Sequence, residues 1–179
     1  MKIFHTRKQF LAFFMPGFLA GIIYVNFIAK KYMAEPGIFN DYFLNQFVNV
    51  KIDVRDYLWY LIRLRAVPFL VLGIFSFTRL RKAVAVFFLI WTGISGGILI
   101  SAAAAELGIK GCLLCVTALF PQFLFYIPAF LILLWYCCNA PQTRWNRQKT
   151  IFVVLMMSLG LILELYVNPI IVKCFLSVL

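Results

Sequence analysis

Residues 83–105 read AVAVFFLIWTGISGGILISAAAA, and this stretch decides the fold. It runs for 23 residues without a charge. About 20 residues at roughly 1.5 Å each suffice to cross the hydrocarbon of a bilayer as a helix. Inside it Gly93, Gly97, Ser101 and Ala105 recur at four-residue spacing, with Gly96, Ile100 and Ala104 alongside. In lipid, helices associate by close approach rather than by hydrophobicity, so such a row marks a contact face.

Outward from this segment the pattern repeats. Apolar runs of similar length occupy about 10–29, 54–78, 112–137 and 150–172, the first carrying Gly17 and Gly21 beside Pro16. The composition agrees: 64% of the 179 residues are hydrophobic and 13% are charged. A soluble domain runs nearer 45–50% and about 25%. The sequence therefore predicts an all-α, polytopic membrane protein. Its single domain of residues 1–179 is a bundle of five transmembrane helices with a short amphipathic outer helix. The small-residue faces predict intramolecular packing, with a homo-oligomer or partner-helix interface as the alternative.

Charge sets the expected orientation. There are 17 Lys and Arg against 6 Asp and Glu, a net +11. In a soluble chain that balance would suggest nucleic acid, but no soluble face exists here to read a groove. The bases cluster instead at span ends: Lys2, Arg7 and Lys8; Arg79, Arg81 and Lys82; Arg144, Arg147 and Lys149. If the spans alternate, all three clusters share one side and no acid dilutes them. The positive-inside bias then puts the amino terminus in the cytoplasm and the carboxyl terminus outside. The first apolar run exceeds the roughly 7–15 residues of a signal-peptide core and lacks a small-residue cleavage site, so an uncleaved anchor is expected. Asp53 and Asp56 read as an N-cap and a first-turn acid for the second span.

The main hydrophilic segment is the outer connection, 30–53. After the turn at Glu35-Pro36-Gly37, Phe39, Tyr42, Phe43, Phe47 and Val50 recur at helical spacing, which suits a helix at the membrane surface. Two roles fit it equally, packing over the mouth of the bundle or docking a partner.

Ionisable residues inside membranes are costly and usually paired or cavity-lining. Here they are Arg63, Arg65 and Glu164, with Glu106 at the end of the third span. Glu164 lies about 20 Å up the fifth span, and the arginines roughly 13–17 Å down the second. All four then belong to the outer half, where they lock helix orientation, line a pathway or face a partner. Asn168 and Pro169 mark the end of the fifth helix. Pro121 and Pro128 predict a kinked fourth span with Gln122 facing protein.

Five cysteines offer Cys112 and Cys115 as an outer C-x-x-C, the inner pair Cys137 and Cys138, and Cys174. The two pairs are about 33 Å apart along one helix, so no single metal site uses both. An outer thiol oxidoreductase would need a second redox pair, and only Cys174 is left. His5 stands alone among basic residues. No phosphate loop, H-E-x-x-H or nucleophile elbow occurs. The expectation is a non-enzymatic protein without cofactor or metal, whose first partner is the lipid bilayer.

Several stretches together resemble one family. They are Leu107-Gly108-Ile109-Lys110-Gly111, Leu119-Phe120-Pro121-Gln122-Phe123, Tyr126-Ile127-Pro128-Ala129 and Glu164-Leu165-Tyr166-Val167-Asn168-Pro169. With Gly17-Phe18-Leu19-Ala20-Gly21 and the Tyr60-to-Arg65 segment, they make the chain similar to the stage II sporulation protein M family over nearly its whole length. The resemblance implies a multi-pass cell-membrane protein of endospore-forming bacteria. It implies a scaffold that recruits stage II sporulation proteins P and D, two peptidoglycan-degrading enzymes, to the septum for forespore engulfment. The cysteines lie outside that pattern. The alternative expectation is a small permease or transporter subunit, drawn from the prolines, Gln122 and the outer-half charges.

Overall fold

The computed structural model describes residues 2–29, 53–139 and 144–177. Helix α1 (Lys2–Tyr24) runs into a π-helical turn, Val25–Ala29. Helix α2 is Val54–Ser76, α3 is Arg81–Asn139 and α4 is Arg147–Ile162. A second π-helical turn, Leu163–Val167, joins α4 to α5 (Asn168–Leu176). Four helical stretches are long and apolar enough to cross a membrane: Phe10–Ile28, Val54–Ser76, Arg81–Asn139 and Arg147–Leu176. The protein is an all-α, multi-pass membrane protein. The expected outer helix, with Phe39, Tyr42, Phe43 and Phe47, lies outside the described residues.

Large apolar side chains cover the surface, and the mainly apolar core also takes in polar groups. Phe27, Phe87 and Ile170 are exposed, whereas Ser76, Ser101, Gln122 and Glu164 are buried. Apolar side chains meet lipid, and polar ones turn toward protein. Hydroxyls within the helices return to carbonyls one turn back: Thr92 to Phe88 at 2.9 Å, Ser95 to Trp91 at 3.0 Å, Ser158 to Val154 at 2.9 Å. In hydrocarbon no water would otherwise satisfy them.

Helix α3 is interrupted once. Gly108 has φ 60° and ψ −138°, a conformation closed to residues bearing a Cβ. The thiol of Cys115 lies 4.0 Å from the carbonyl oxygen of Leu99. Sixteen residues of straight helix would separate them by about 24 Å, so the chain folds back at Gly108. Gly111 sits where a Cβ would strike the carbonyl of Ala103, which explains a second glycine three residues on.

The described residues form two compact units. The first comprises α1 with its π turn, residues 86–117 and residues 172–177; the second comprises residues 53–85 and 118–171. In the first, α1 and α3 meet backbone to backbone. A Cβ on Gly17 would collide with Ile90, one on Gly21 with Ile94, one on Gly93 with Phe14, and one on Gly97 with Phe18. Asn26, in the π turn, donates to Ser101 Oγ at 3.3 Å and to its own helix at Ile22. In the second unit Asp53 caps α2, its Oδ1 accepting from Arg55 N–H at 3.0 Å. Phe69 meets Phe130 edge to face at 5.8 Å.

Candidate functional site

The second unit holds an ion pair between Arg65 of α2 and Glu164. The guanidinium engages the carboxylate with two nitrogens: Nε donates to Oε2 at 3.0 Å, and Nη2 donates to Oε1. Tyr126, in the second arm of α3 (residues 109–139, after the break at Gly108), donates its hydroxyl to the same Oε2 at 2.8 Å. Three helical elements thus meet on one carboxylate that is 4% exposed.

Local sequence places each member. Glu164 is the second residue of the π-helical turn, in which Asn168 N–H reaches back five residues to Leu163 O. Pro169 has no N–H, and its ring collides with the carbonyl four residues back in a regular helix; widening the preceding turn relieves that conflict. Gly160 lies one turn before Glu164, on the same face. A Cβ there would come within 2.6–3.1 Å of the Tyr126 ring, so the absent side chain is the space the ring fills. The Arg65 guanidinium carbon stands 5.2 Å from the Tyr126 centroid and 5.7 Å from that of Phe123. Aromatic faces carry partial negative charge and suit a cation withdrawn from water. Tyr57, half-buried on α2, is near enough to feel both charges.

The chemistry available is that of a neutral clamp. A bidentate guanidinium–carboxylate pair is directional as well as strong. Removing one partner of a buried pair strands the other at a cost of about 3–5 kcal/mol.

Gln122 lies one turn before Tyr126 on α3 and is buried. Its amide nitrogen donates to Ala118 O, but its Oε1 has no partner among the described residues; neither does Asn168 Oδ1, one turn beyond Glu164. No family model, curated protein or solved structure matches the chain.

The other residues singled out from the sequence fall elsewhere. Arg63 is exposed and takes no part in that ion pair; Glu106 is exposed and belongs to the first unit. Ser101 is buried under Asn26. Pro121 lies within α3, immediately before Gln122. All five cysteines are free thiols, Cys115 and Cys137 buried and Cys174 exposed. Among the described residues no three His, Cys, Asp or Glu side chains converge as a metal site would require. Sequence reasoning did not assign Tyr126 to the charge cluster, nor Asn26 to the packing face. Gly160, four residues before a buried acid, was the signal that something bulky lies against Glu164.

Proposed function

We propose that the protein is a non-enzymatic membrane scaffold of the stage II sporulation protein M kind, holding peptidoglycan-degrading partners, stage II sporulation proteins P and D, at the septum. One observation carries this reading. Four of the six stretches through which the chain resembles that family each supply a residue to the Arg65–Glu164–Tyr126 cluster: Arg65 from Tyr60 to Arg65, Phe123 from Leu119 to Phe123, Tyr126 from Tyr126 to Ala129, and Glu164 from Glu164 to Pro169. A neutral, aromatic-covered clamp suits a rigid platform better than turnover, since its carboxylate already accepts three hydrogen bonds, two from Arg65 and one from Tyr126. In this reading the first and second arms of α3 each cross the bilayer, making five crossings. The amino terminus is cytoplasmic, and the outer connection 30–53 with Phe39, Tyr42, Phe43 and Phe47 faces the partners.

Co-purification from sporulating cells is the test. Both hydrolases are expected to come down with the full chain and to be lost when residues 37–50 are deleted. Hydrolases that localise normally in cells lacking the whole protein would overturn the scaffold.

A second reading, a permease or transporter subunit, is favoured by the unpartnered oxygens of Gln122 and Asn168 in the unit that holds the ion pair. Transporters bind substrates with polar groups at irregular helical turns. Solute flux into proteoliposomes of the pure protein, abolished by Gln122→Leu, would establish it in place of the scaffold.

A further inference from the structure

Far from the ion pair, the second unit gathers cations at one end. Arg79, Arg81 and Lys82 follow α2, and Arg144, Arg147 and Lys149 precede or open α4. A run of aromatic rings holds both groups against the end of α3. Phe77, the C-cap of α2, packs on Tyr136 at 6.2 Å, and Tyr136 packs on Trp145 at 5.0 Å. Trp145 is fixed in turn, its indole N–H donating to Thr150 Oγ1 at 2.7 Å. Lys149 Nζ lies 5.1 Å over the Trp135 ring and donates to Arg144 O at 2.9 Å. Arg81 and Lys82 lie alongside Cys137 and Cys138 at the same end.

Among the described residues no acid pairs with these charges. The sequence has no Asp or Glu between Asp56 and Glu106, or between Glu106 and Glu164. Asp53 and Asp56 sit at the opposite end of α2, about 30 Å away, and Glu164 is roughly 25 Å along from Arg147. Arg79, Lys82, Arg144 and Arg147 are exposed. So are their apolar neighbours Phe77, at 70%, and Leu80, at 61%.

Exposed cations beside exposed apolar side chains match a ligand that is itself phosphate at one end and hydrocarbon at the other. Two separate basic turns, fixed to one helix end, match two phosphates better than one. We propose that this end of the second unit is a binding site for a diphosphatidylglycerol-type anionic phospholipid. The first turn (Arg79, Arg81, Lys82) takes one phosphate, and the second (Arg144, Arg147) takes the other. The acyl chains lie along Phe77 and Leu80. Basic pockets between membrane helices take such headgroups. The site is independent of the scaffold reading, because it uses neither the outer connection nor a protein partner.

The experiment uses the full-length protein in nanodiscs of phosphatidylcholine carrying either cardiolipin or phosphatidylglycerol at equal total charge. Lipid retention is read by native mass spectrometry, and stability by thermal unfolding. Cardiolipin should be retained and should raise the unfolding temperature where phosphatidylglycerol does not. The triple variant Arg79→Gln, Arg144→Gln, Arg147→Gln should lose retention on the order of a hundredfold, since each cation near a membrane surface contributes about fivefold. The triple variant Lys2→Gln, Arg7→Gln, Lys8→Gln removes equal charge elsewhere and should change little. Equal effects of the two triples, or of the two anionic lipids, would overturn the site. So would binding of soluble pyrophosphate as strong as that of the lipid. The comparison of lipids on the unaltered protein decides the matter even if a variant fails to fold.

Discussion

Arg65 and Glu164 illustrate how far a single charge within lipid can be read. Both stand out in the sequence because they interrupt apolar runs, and the structure joins them with two hydrogen bonds. Arg63 stands out equally, yet two residues turn a helix by about 200°, so it points away when Arg65 points in. Depth along the helix could not separate the two arginines; only the azimuth of α2 does, and that depends on packing against other elements. Tyr126 was harder still, because a tyrosine in an apolar run announces nothing until a carboxylate is seen opposite it. Unfolding in detergent should therefore show Glu164→Leu and Arg65→Leu each losing about 3–5 kcal/mol, since each strands a buried charge. The double variant should recover most of that loss, because an apolar pair leaves no charge unpaired. Tyr126→Phe, which removes one bond to a charged group, should cost about 1.5–3 kcal/mol. Arg63→Leu should stay within about 0.5 kcal/mol. A double variant as unstable as the sum of its singles would show that the residues are not coupled.

Between elements, the informative comparison is among glycines. The four-residue row in residues 83–105 was legible as a contact face, whereas the identity of its partner was not: Gly17 and Gly21 could as well have served another copy. In the first unit α1 and α3 approach so closely that Gly97 faces the Phe18 carbonyl and the Gly21 Cα, with no room for a methyl group. Gly96, its immediate neighbour, would set a Cβ only 3.9 Å from the Phe18 ring, an ordinary contact. The same substitution should thus have opposite signs at adjacent positions. Gly97→Ala should destabilise by about 1–3 kcal/mol through overpacking. Gly96→Ala should be neutral or stabilising by up to about 1 kcal/mol, since alanine loses less backbone freedom in a helix. Thermal unfolding of the two variants side by side checks this, and equal losses would mean the close approach of α1 to α3 is not what holds the first unit. The reversal at Gly108 was legible as a gap between spans, but its tightness was not, because α3 stays helical almost to the glycine on either side.

For the molecule as a whole, the number of crossings follows from how α3 is used. As one rod its 59 residues would extend about 88 Å, nearly three times the roughly 30 Å of hydrocarbon. With the reversal at Gly108 its arms, residues 81–107 and 109–139, are about 40 and 46 Å long, each sufficient to cross once. Two crossings by α3 return residue 146 to the side of residue 80; one crossing would leave them on opposite sides. The proposed orientation adds that both are cytoplasmic, because the bases at 79–82 and 144–149 flank them without acids. A cysteine-free background carrying either Leu80→Cys or Asn146→Cys, both exposed positions, should accordingly react with a membrane-impermeant maleimide only after the cells are opened. A third chain retaining Cys174, which is exposed, should react in intact cells. If residues 80 and 146 label from opposite sides, α3 crosses once and the five-crossing arrangement fails. If they label together from outside, the crossings stand and the orientation is reversed, which would carry the basic end of the second unit to the outer leaflet.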